Sequence, residues 1–406
     1  MIFTARRLLT AGTFDFAPPG SKVPGMRWLQ VQPGQPLRPR LFPGTPIALL
    51  PFVAVDHALS LDRTEDLGFF VHFAGHFFIA GVLLLLGSTL RREGASDRAA
   101  IAAILITGTL WPVLQISRRG GAEPLLALLA AAFLAAASRK RLWPRATIAA
   151  ALPWCHPTGS LLAPLLALSD AVMPGFWEKD ASGARPRVRQ AALLLTCAAS
   201  GTLGVVVIWN GLYHGNLLGG GYALYGAERA VMKLDPLDVA TYYVQKSLLF
   251  VPVLLLLSAC GALQAGRDGL RMLALPAALL AAFLTLFSLY THPSTVEPAR
   301  RLSVVWLVLG FAAGRGFDRL ALRRTAALGL VALSMLNGLY WYRLLESDFY
   351  PWHDGSWEPL ILWITLAVQG HPFWHSALPV TLLAALGTYA AARALRAFLS
   401  RAPGDL

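Results

Sequence analysis

The sequence predicts an all-α polytopic membrane protein with about nine or ten transmembrane helices. Of its 406 residues, 56% are hydrophobic and only 14% are charged, whereas about a quarter of the residues in an average soluble domain are charged. The mean hydropathy is +0.54, and apolar stretches of about 20 residues recur, which is the length needed to cross about 30 Å of hydrocarbon. These features exclude a soluble enzyme, a disordered scaffold and a nucleic-acid-binding protein.

Short basic clusters separate the apolar stretches and predict the topology. Placing every cluster in the cytoplasm gives one consistent alternation of helices. The net charge of +13 is therefore expected to fix orientation against anionic headgroups rather than to bind nucleic acid. The three cysteines show no CxxC spacing and are expected to be small buried side chains. The basic clusters begin at Arg91, Arg139, Lys179, Arg267, Arg315 and Arg393.

The chain divides into three predicted regions. Residues 1–66 are expected to form an external loop with juxtamembrane helices, residues 67–397 the transmembrane domain, and residues 398–406 a cytoplasmic tail. A Pro- and Gly-rich stretch from Ala17 to Pro46 cannot span lipid. Because the charge pattern leaves the first region external with no helix before it, we expect a first transmembrane helix to be missing from the chain.

The alternative is that residues 45–61 form the first span and that the whole charge pattern inverts. This run contains Pro51, Asp56 and His57 within 17 residues. A proline and two ionisable groups suit an interfacial or re-entrant helix better than a lipid-exposed span. We therefore favour a juxtamembrane helix at this position.

The later helices follow from the order of the apolar runs. Residues 146–173 are split by Pro153, Pro157 and Gly159 into two short helices that need not both cross the membrane, which predicts a broken or re-entrant hairpin. The other predicted helices cross the membrane in alternating directions, and the first of them runs inward. They are predicted at 69–90, 98–116, 122–138, 191–210, 245–265, 272–290, 302–314, 325–342 and 379–397.

A polar cavity is predicted on the external face. All nine histidines fall at mid-membrane or on that face. Two histidine pairs have the helical spacing of four, His72 with His76 and His371 with His375, but neither has a third ligand at fixed spacing. We therefore expect no metal and no cofactor, with a divalent cation as the alternative. The GGGY run at 219–222 follows no strand, so it predicts a flexible loop rather than a phosphate-binding loop.

Five segments along nearly the whole chain resemble one known family. The polyprenol-dependent membrane glycosyltransferases of the GT-C superfamily, near the protein mannosyltransferase-like and aminoarabinose transferase-like branch, carry similar segments in the same order. His156 stands where the family usually has a basic residue before Pro-Thr-Gly. The segments are ARRLLTAGTFDF, LFPGTPIALLPFVAV, AEPLLALLAAAFLAAASRKR, WCHPTGSLLAPLLAL, and YHGNLLGGGY followed by EPARRLSVVWLVLGF.

The resemblance implies a GT-C-like fold and a glycosyltransferase. Such an enzyme moves a sugar from a polyprenyl-phosphate donor to a lipid, glycan or protein acceptor on the external face of the bacterial inner membrane. Its expected partners are that donor, the acceptor and membrane lipids, with no nucleic acid. The family's catalytic carboxylate lies just before the segment that matches MIFTARRLL, so we expect that position to be missing together with the first transmembrane helix. The alternatives are a transporter or flippase of lipid-linked saccharides and a catalytically inactive GT-C-like protein.

The candidate site residues combine the predicted external face with this resemblance. Glu123 opens an inward helix beside Pro124, where a negative charge also suits the helix dipole, and the family has an acid there. Asp15 is the second candidate for the catalytic base, while other first-loop acids such as Asp56 are expected to be solvated loop charges. Arginine binds phosphate oxygens in pairs and stays charged, although Arg118 and Arg119 also suit interfacial snorkelling. The expected donor-phosphate residues are Arg118, Arg119, Arg300 and Arg301, and the expected cavity residues are His156, His292 and Tyr222.

Overall fold

In its described part, the computed structural model consists of α-helices, one π-helix and a two-stranded antiparallel ribbon of β1 (Leu29–Gln30) and β2 (Arg38–Pro39). The residues that the structure describes are 2–14, 29–30, 38–39, 42–59, 69–117, 121–172, 184–215, 217, 251–265, 273–283, 302–320 and 322–346. The helices are α1 (Ile2–Ala11), α2 (Gly44–Ala58), α3 (Phe69–Arg92), α4 (Asp97–Gly108), α5 (Trp111–Ser117), α6 (Ala122–Ser138), α7 (Leu142–Cys155), α8 (Pro157–Val172), α9 (Ala184–Gly204), π1 (Val205–Tyr213), α10 (Pro252–Ala265), α11 (Leu273–Phe283), α12 (Ser303–Arg319) and α13 (Arg324–Glu346).

The described helices have the apolar character that the sequence predicts. Phe73–Arg92 and Val188–Tyr213 are long and apolar enough to cross a membrane, and α4 with α5 makes a third span if the bent pair is counted as one. Five shorter apolar helices accompany them. The last predicted span, 379–397, lies outside the described residues. The shorter apolar helices are Ala122–Ser138, Pro157–Ser169, Pro252–Leu263, Leu273–Phe283 and Thr325–Gly338.

Several helices begin or end together at what we call the basic end of the bundle. The Glu93 carboxylate, just after α3, accepts hydrogen bonds from Ser138 of α6 at 2.6 Å and from Arg315 of α12 at 3.1 Å. Ser96, the N-cap of α4, donates its hydroxyl to the Asp318 carboxylate of α12. These contacts agree with the predicted alternation, which places the same basic clusters on one side. The opposite end is called the far end below.

Helices α7 and α8 form a hairpin whose tip lies at the far end. His156 alone separates the two helices, and its extended backbone (φ −165°, ψ 154°) reverses the chain. The helices pack so closely that a methyl group on Gly159 would collide with the Leu152 carbonyl. With 14 and 16 residues they measure about 21–24 Å, less than the about 30 Å of a hydrocarbon core. The predicted broken hairpin is confirmed.

The span predicted at 98–116 is not one continuous helix. The structure has two helices there, α4 and α5, which are bent by 69° relative to each other. Pro112 lies in the first turn of α5, has no N–H to donate, and would clash with the carbonyl of Gly108 in a continuous helix. The helix therefore stops after Gly108 and restarts at Trp111. Hydropathy does not reveal the break because both halves are apolar.

Helix α2 lies across the far end of the bundle. Gly44, its first residue, packs against the Trp154 carbonyl at the end of α7. Near its other end, the Asp56 carboxylate accepts the backbone N–H groups of Phe70 and Val71, each at 2.8 Å, at the start of α3. Helix α2 therefore contacts the far ends of both α7 and α3. Asp56 is buried and caps α3, so its assignment as a solvated loop charge is wrong.

The buried centre of the bundle is α12. Of its 17 residues, 14 are buried, which places the helix inside the bundle rather than at the lipid face. On one side it packs against α10, where Gly261 and Gly316 let the two backbones touch. On another side Gly310 and Gly314 pack against α3 and α4. Small residues permit the close helix contacts that hold membrane bundles together.

Candidate functional site

The structure describes two of the predicted site residues, Glu123 and His156, and both lie at the far end. Glu123 is in the first turn of α6 and is partly buried. His156 forms the tip of the α7–α8 hairpin. Because α6 and α7 are antiparallel neighbours joined at the basic end by residues 139–141, the two side chains start from the same end of the bundle. The other predicted site residues lie outside the described residues: Asp15, Arg118, Arg119, Tyr222, His292, Arg300 and Arg301.

The imidazole of His156 is held in one orientation by Thr158. Its Nδ1 lies 2.8 Å from the Thr158 hydroxyl and accepts the Thr158 backbone N–H at 3.3 Å. Because Nδ1 accepts a backbone proton, the neutral ring carries its hydrogen on Nε2. The histidine thus caps α8 with one nitrogen and carries an N–H group on the other. A donor is also what the basic residue expected at this position would supply.

The start of α2 is fixed to the hairpin tip. The Thr45 hydroxyl donates to the Cys155 carbonyl at 3.1 Å, and both residues are buried. A Cβ atom on Gly44 would lie 2.8 Å from the Trp154 carbonyl oxygen, so a larger residue there would push α2 away from the tip. The PGTP segment of the sequence is therefore the docking segment between the juxtamembrane helix and the hairpin.

An aromatic cluster, which sequence reasoning missed, adjoins the tip. The Trp209 and Tyr213 rings of π1 stack with centroids 4.4 Å apart, and Phe14 packs edge-on against Trp209 at 5.2 Å. Phe42 and Trp154 belong to the same cluster. It connects the segment after α1, the start of α2, the hairpin and π1 into one body. The spacing of four between Trp209 and Tyr213 is the one sequence signal that could have indicated it.

The π-helix places this cluster. From Val205 the chain leaves the α-helical pattern of α9, and the His214 N–H bonds to the Trp209 carbonyl five residues back at 3.1 Å. Each π turn holds an extra residue, so the side chains after Gly204 rotate relative to the α-helical register. π-helical segments are rare and occur often at functional sites. Here the change occurs where α9 reaches the far end.

An open groove of about 500 Å³ runs between α8 and α9. Its lining is mainly apolar, and Ser160, one turn after His156, lies at one end. Along α9 and π1, large apolar side chains such as Leu203 (62% exposed) and Ile208 (52% exposed) remain uncovered by the protein. In a membrane such a surface contacts lipid tails. Groove residues include Pro164, Leu195, Ala199, Thr202 and Val206.

Within the described part of the chain, no group of three or more histidine, cysteine, aspartate or glutamate residues could hold a metal ion. His76 is exposed on α3. The side chain of His72 and the pair His371 and His375 lie outside what the structure describes.

No protein-family profile and no curated protein sequence matches this chain. Its structure is similar to two crystal structures of ArnT from Cupriavidus metallidurans. The structure bound to undecaprenyl phosphate aligns over 98% of this chain and 71% of its own, with a TM-score of 0.50 and 12% identity. The apo structure aligns over 98% and 70%, with a TM-score of 0.46 and 13% identity. The fold is therefore similar to that of ArnT. At 12% identity the likeness shows the fold alone, and it confirms the predicted all-α polytopic membrane class.

Proposed function

We propose that this chain is a membrane glycosyltransferase that moves a sugar from a polyprenyl-phosphate donor to a lipid, glycan or protein acceptor. The observation that carries the proposal is that a carboxylate, Glu123, and an imidazole, His156, lie at the same end of the bundle, with an apolar groove that begins one turn after His156. The fold adds support, because the ArnT structure with the same fold binds undecaprenyl phosphate. We assign the far end to the external face of a bacterial inner membrane.

The proposed reaction is a direct displacement. The acceptor hydroxyl oxygen forms a bond to the anomeric carbon while the bond from that carbon to the donor phosphate oxygen breaks. Glu123, or Asp15 in the first region, accepts the hydroxyl proton as general base. The electron pair of the broken bond leaves with polyprenyl phosphate, so groups that stabilise a phosphate anion lower the barrier.

Cationic and donor groups supply that stabilisation in the proposal. Arg300 and Arg301, with Arg118 and Arg119, bind the donor phosphate, because a guanidinium pairs with two phosphate oxygens at once. The Nε2–H of His156, at the hairpin tip, donates a hydrogen bond to the sugar-phosphate substrate. His292 and Tyr222 line the cavity around the sugar. No metal or cofactor takes part, and the polyprenyl chain lies in the groove between α8 and α9.

The test is transfer of radiolabelled sugar from polyprenyl-phosphate donors in membranes that contain the chain. Glu123→Gln keeps the size of the side chain but cannot accept the proton, so we expect kcat to fall by about 10²–10⁴ with little change in KM. Asp97→Asn is the matched control, because Asp97 is an exposed carboxylate at the basic end. It should transfer at the parental rate.

Three results would contradict the proposal in part or in whole. Transfer by Glu123→Gln at the parental rate would remove Glu123 from the role of base. If no donor supports transfer while a lipid-linked saccharide changes leaflets in the presence of the chain, the protein is a flippase instead. If neither process occurs, the chain is a catalytically inactive member of the fold.

A further inference from the structure

Two buried polar side chains lie in the first turns of α12, at the far end of the bundle. Ser303, the first residue of the helix, is 0% exposed, and Trp306, one turn later, is 1% exposed. Within the part of the chain that the structure describes, no hydrogen-bond partner reaches the Ser303 hydroxyl or the indole Nε1 of Trp306. Buried polar atoms are almost always hydrogen-bonded in native proteins. Two such groups on adjacent turns therefore indicate that something outside the described protein satisfies them.

Both side chains lie on one face of α12. Ser303, Trp306, Gly310 and Gly314 are spaced by three, four and four residues, which places them along one side of an α-helix. A Cβ on Gly310 would lie 2.7 Å from the Thr107 hydroxyl oxygen of α4. The polar pair thus continues the face of α12 that packs on α4.

The register of that packing fixes where the pair lies. A Cβ on Gly314 would lie 3.1 Å from the Cβ of Ala103, and Gly310 faces Thr107. Because the residue number falls along α12 as it rises along α4, the two helices are antiparallel. Extending this register by one and two turns places Trp306 and Ser303 beside the bend where α4 ends and α5 begins. The pair therefore lies at a break in the neighbouring helix, near the far end, rather than in a continuous helix contact.

The start of α12 adds further donors of the same kind. The first intrahelical bond runs from the Trp306 N–H to the Leu302 carbonyl at 3.1 Å, so the N–H groups of residues 303–305 precede the helical hydrogen-bond pattern. Leu302 is the N-cap and provides no side-chain hydrogen bond to them. Helical side chains lean toward the N-terminus, so the Trp306 indole lies over this first turn. Backbone amides, a hydroxyl and an indole N–H then form a set of donors.

A set of donors at a helix N-terminus suits an anion with several acceptor oxygens. We propose that the first turn of α12, with Ser303 and Trp306, binds the phosphate group of the polyprenyl-phosphate donor. This inference rests on the proposed function for the identity of the ligand. The sequence immediately before Leu302 reads Arg300-Arg301, so positive charge adjoins the site along the chain.

The test is equilibrium binding of radiolabelled polyprenyl phosphate to the purified full chain in phosphatidylcholine nanodiscs. The variants are Ser303→Ala, Trp306→Phe and the double variant, because each removes a donor and keeps most of the shape. We expect each single variant to weaken binding several-fold and the double variant to weaken it at least tenfold. Thermal unfolding without ligand should stay unchanged or shift upward, because a buried unpaired polar group is removed.

Matched controls come from elsewhere in the chain. Ser334→Ala removes a hydroxyl that is 2% exposed on α13, and Trp143→Phe removes an indole N–H that is 75% exposed at the basic end. Neither should change the affinity. Binding by the double variant within twofold of the parental chain would overturn the inference, whatever happens to its thermal stability, since the groups would then be structural or hydrated.

Two further ligands distinguish the sources of the phosphate and separate this inference from the proposed function. Inorganic phosphate and phosphatidylglycerol are measured alongside polyprenyl phosphate, and sugar transfer is assayed separately. If the parental chain transfers sugar but the variants bind the donor normally, the inference fails and the transferase stands. If the parental chain transfers no sugar, yet the variants weaken binding of inorganic phosphate or phosphatidylglycerol, the phosphate site stands and the transferase fails.

Discussion

Gly159 sets how closely the two helices of the hairpin approach each other. Its Cα faces the Leu152 carbonyl of the preceding helix, where an added methyl group would collide with backbone that cannot rotate away. We expect Gly159→Ala to lower the free energy of unfolding by about 1–3 kcal/mol, the usual cost of overpacking. It should also displace His156 and reduce sugar transfer. Thermal unfolding in detergent, with the transfer assay, measures both effects.

Gly87→Ala is the matched control for this substitution. A Cβ at Gly87 would lie 2.6 Å from the terminal Cδ1 of Ile104, and a side-chain end can adopt another rotamer. The gain in helix propensity, about 1 kcal/mol for Gly to Ala, offsets the remaining crowding. Equal losses of stability in the two variants would show that the hairpin tip is not unusually tight.

Asp56 illustrates what the sequence could not indicate at this scale. Its partners, the N–H groups of Phe70 and Val71, lie 14 and 15 residues away, beyond any local capping pattern. By contrast, the proline and glycine residues around His156 indicate the hairpin because their effects are local: they restrict the backbone of their own turn. Local geometry was therefore predictable, whereas a cap supplied across a loop was not.

Among the helices, a part-buried ion pair joins the end of α3 to α12. The side chains of Arg315 and Glu93 are 21% and 14% exposed, and they lie 3.1 Å apart. We expect Arg315→Met to destabilise the protein by an amount between the about 0–1 kcal/mol of exposed pairs and the about 3–5 kcal/mol of fully buried ones. The loss arises because Glu93 keeps its charge without its cationic partner. Thermal unfolding of purified variants measures it.

The pair between Arg91 and Asp97 provides the comparison at the same end of the bundle. Its nitrogen and oxygen atoms are 2.8 Å apart, yet the side chains are 57% and 77% exposed. Water and salt screen such a pair, so Arg91→Met should change stability by less than about 1 kcal/mol. If Arg91→Met proves as destabilising as Arg315→Met, burial of the Glu93 pair does not account for the effect.

Two elements differ from the continuous α-helices that the apolar pattern predicts, and the physical reason is the same for both. Hydropathy reports whether a segment suits lipid, not how its backbone hydrogen bonds are arranged. The run over 98–116 is apolar on both sides of its bend, and the run over 191–210 reads as one α-helix although π1 begins at Val205. Pro112 was the available signal for the bend. We find no comparable sequence signal for the π-helix, whose extra residue per turn is accommodated by tertiary packing around Trp209.

At the scale of the whole molecule, the topology was more predictable than the site. Charge clusters and apolar runs act along the entire chain, so the alternation of helices and the hairpin could be predicted without knowing any contact. The site depends on which far-end residues approach each other in space. The aromatic cluster and the polar pair at the start of α12 both lie within runs that appear simply apolar in the sequence. Tertiary packing alone shows that Ser303 and Trp306 are buried without a described partner.

The groove between α8 and α9 gives a prediction for the whole molecule under the proposed function. Ala199 lines it, so Ala199→Trp should occupy the space that we assign to the polyprenyl chain. Each lost methylene contact costs about 0.8 kcal/mol, so displacing about two raises KM for a long-chain donor roughly tenfold. The value of kcat should change little, because the far-end groups stay in place. Steady-state transfer kinetics with donors of different chain length measure these effects.

The chain-length comparison makes this prediction specific. A donor with only a few isoprene units does not fill the groove, so its KM should be nearly the same for Ala199→Trp and the parental chain. Leu193→Trp is the matched control, because Leu193 is 38% exposed on the same helix but is not part of the groove lining. It should leave KM unchanged for both donors. An equal rise in KM for short and long donors, or an equal effect of Leu193→Trp, would place the polyprenyl chain outside this groove.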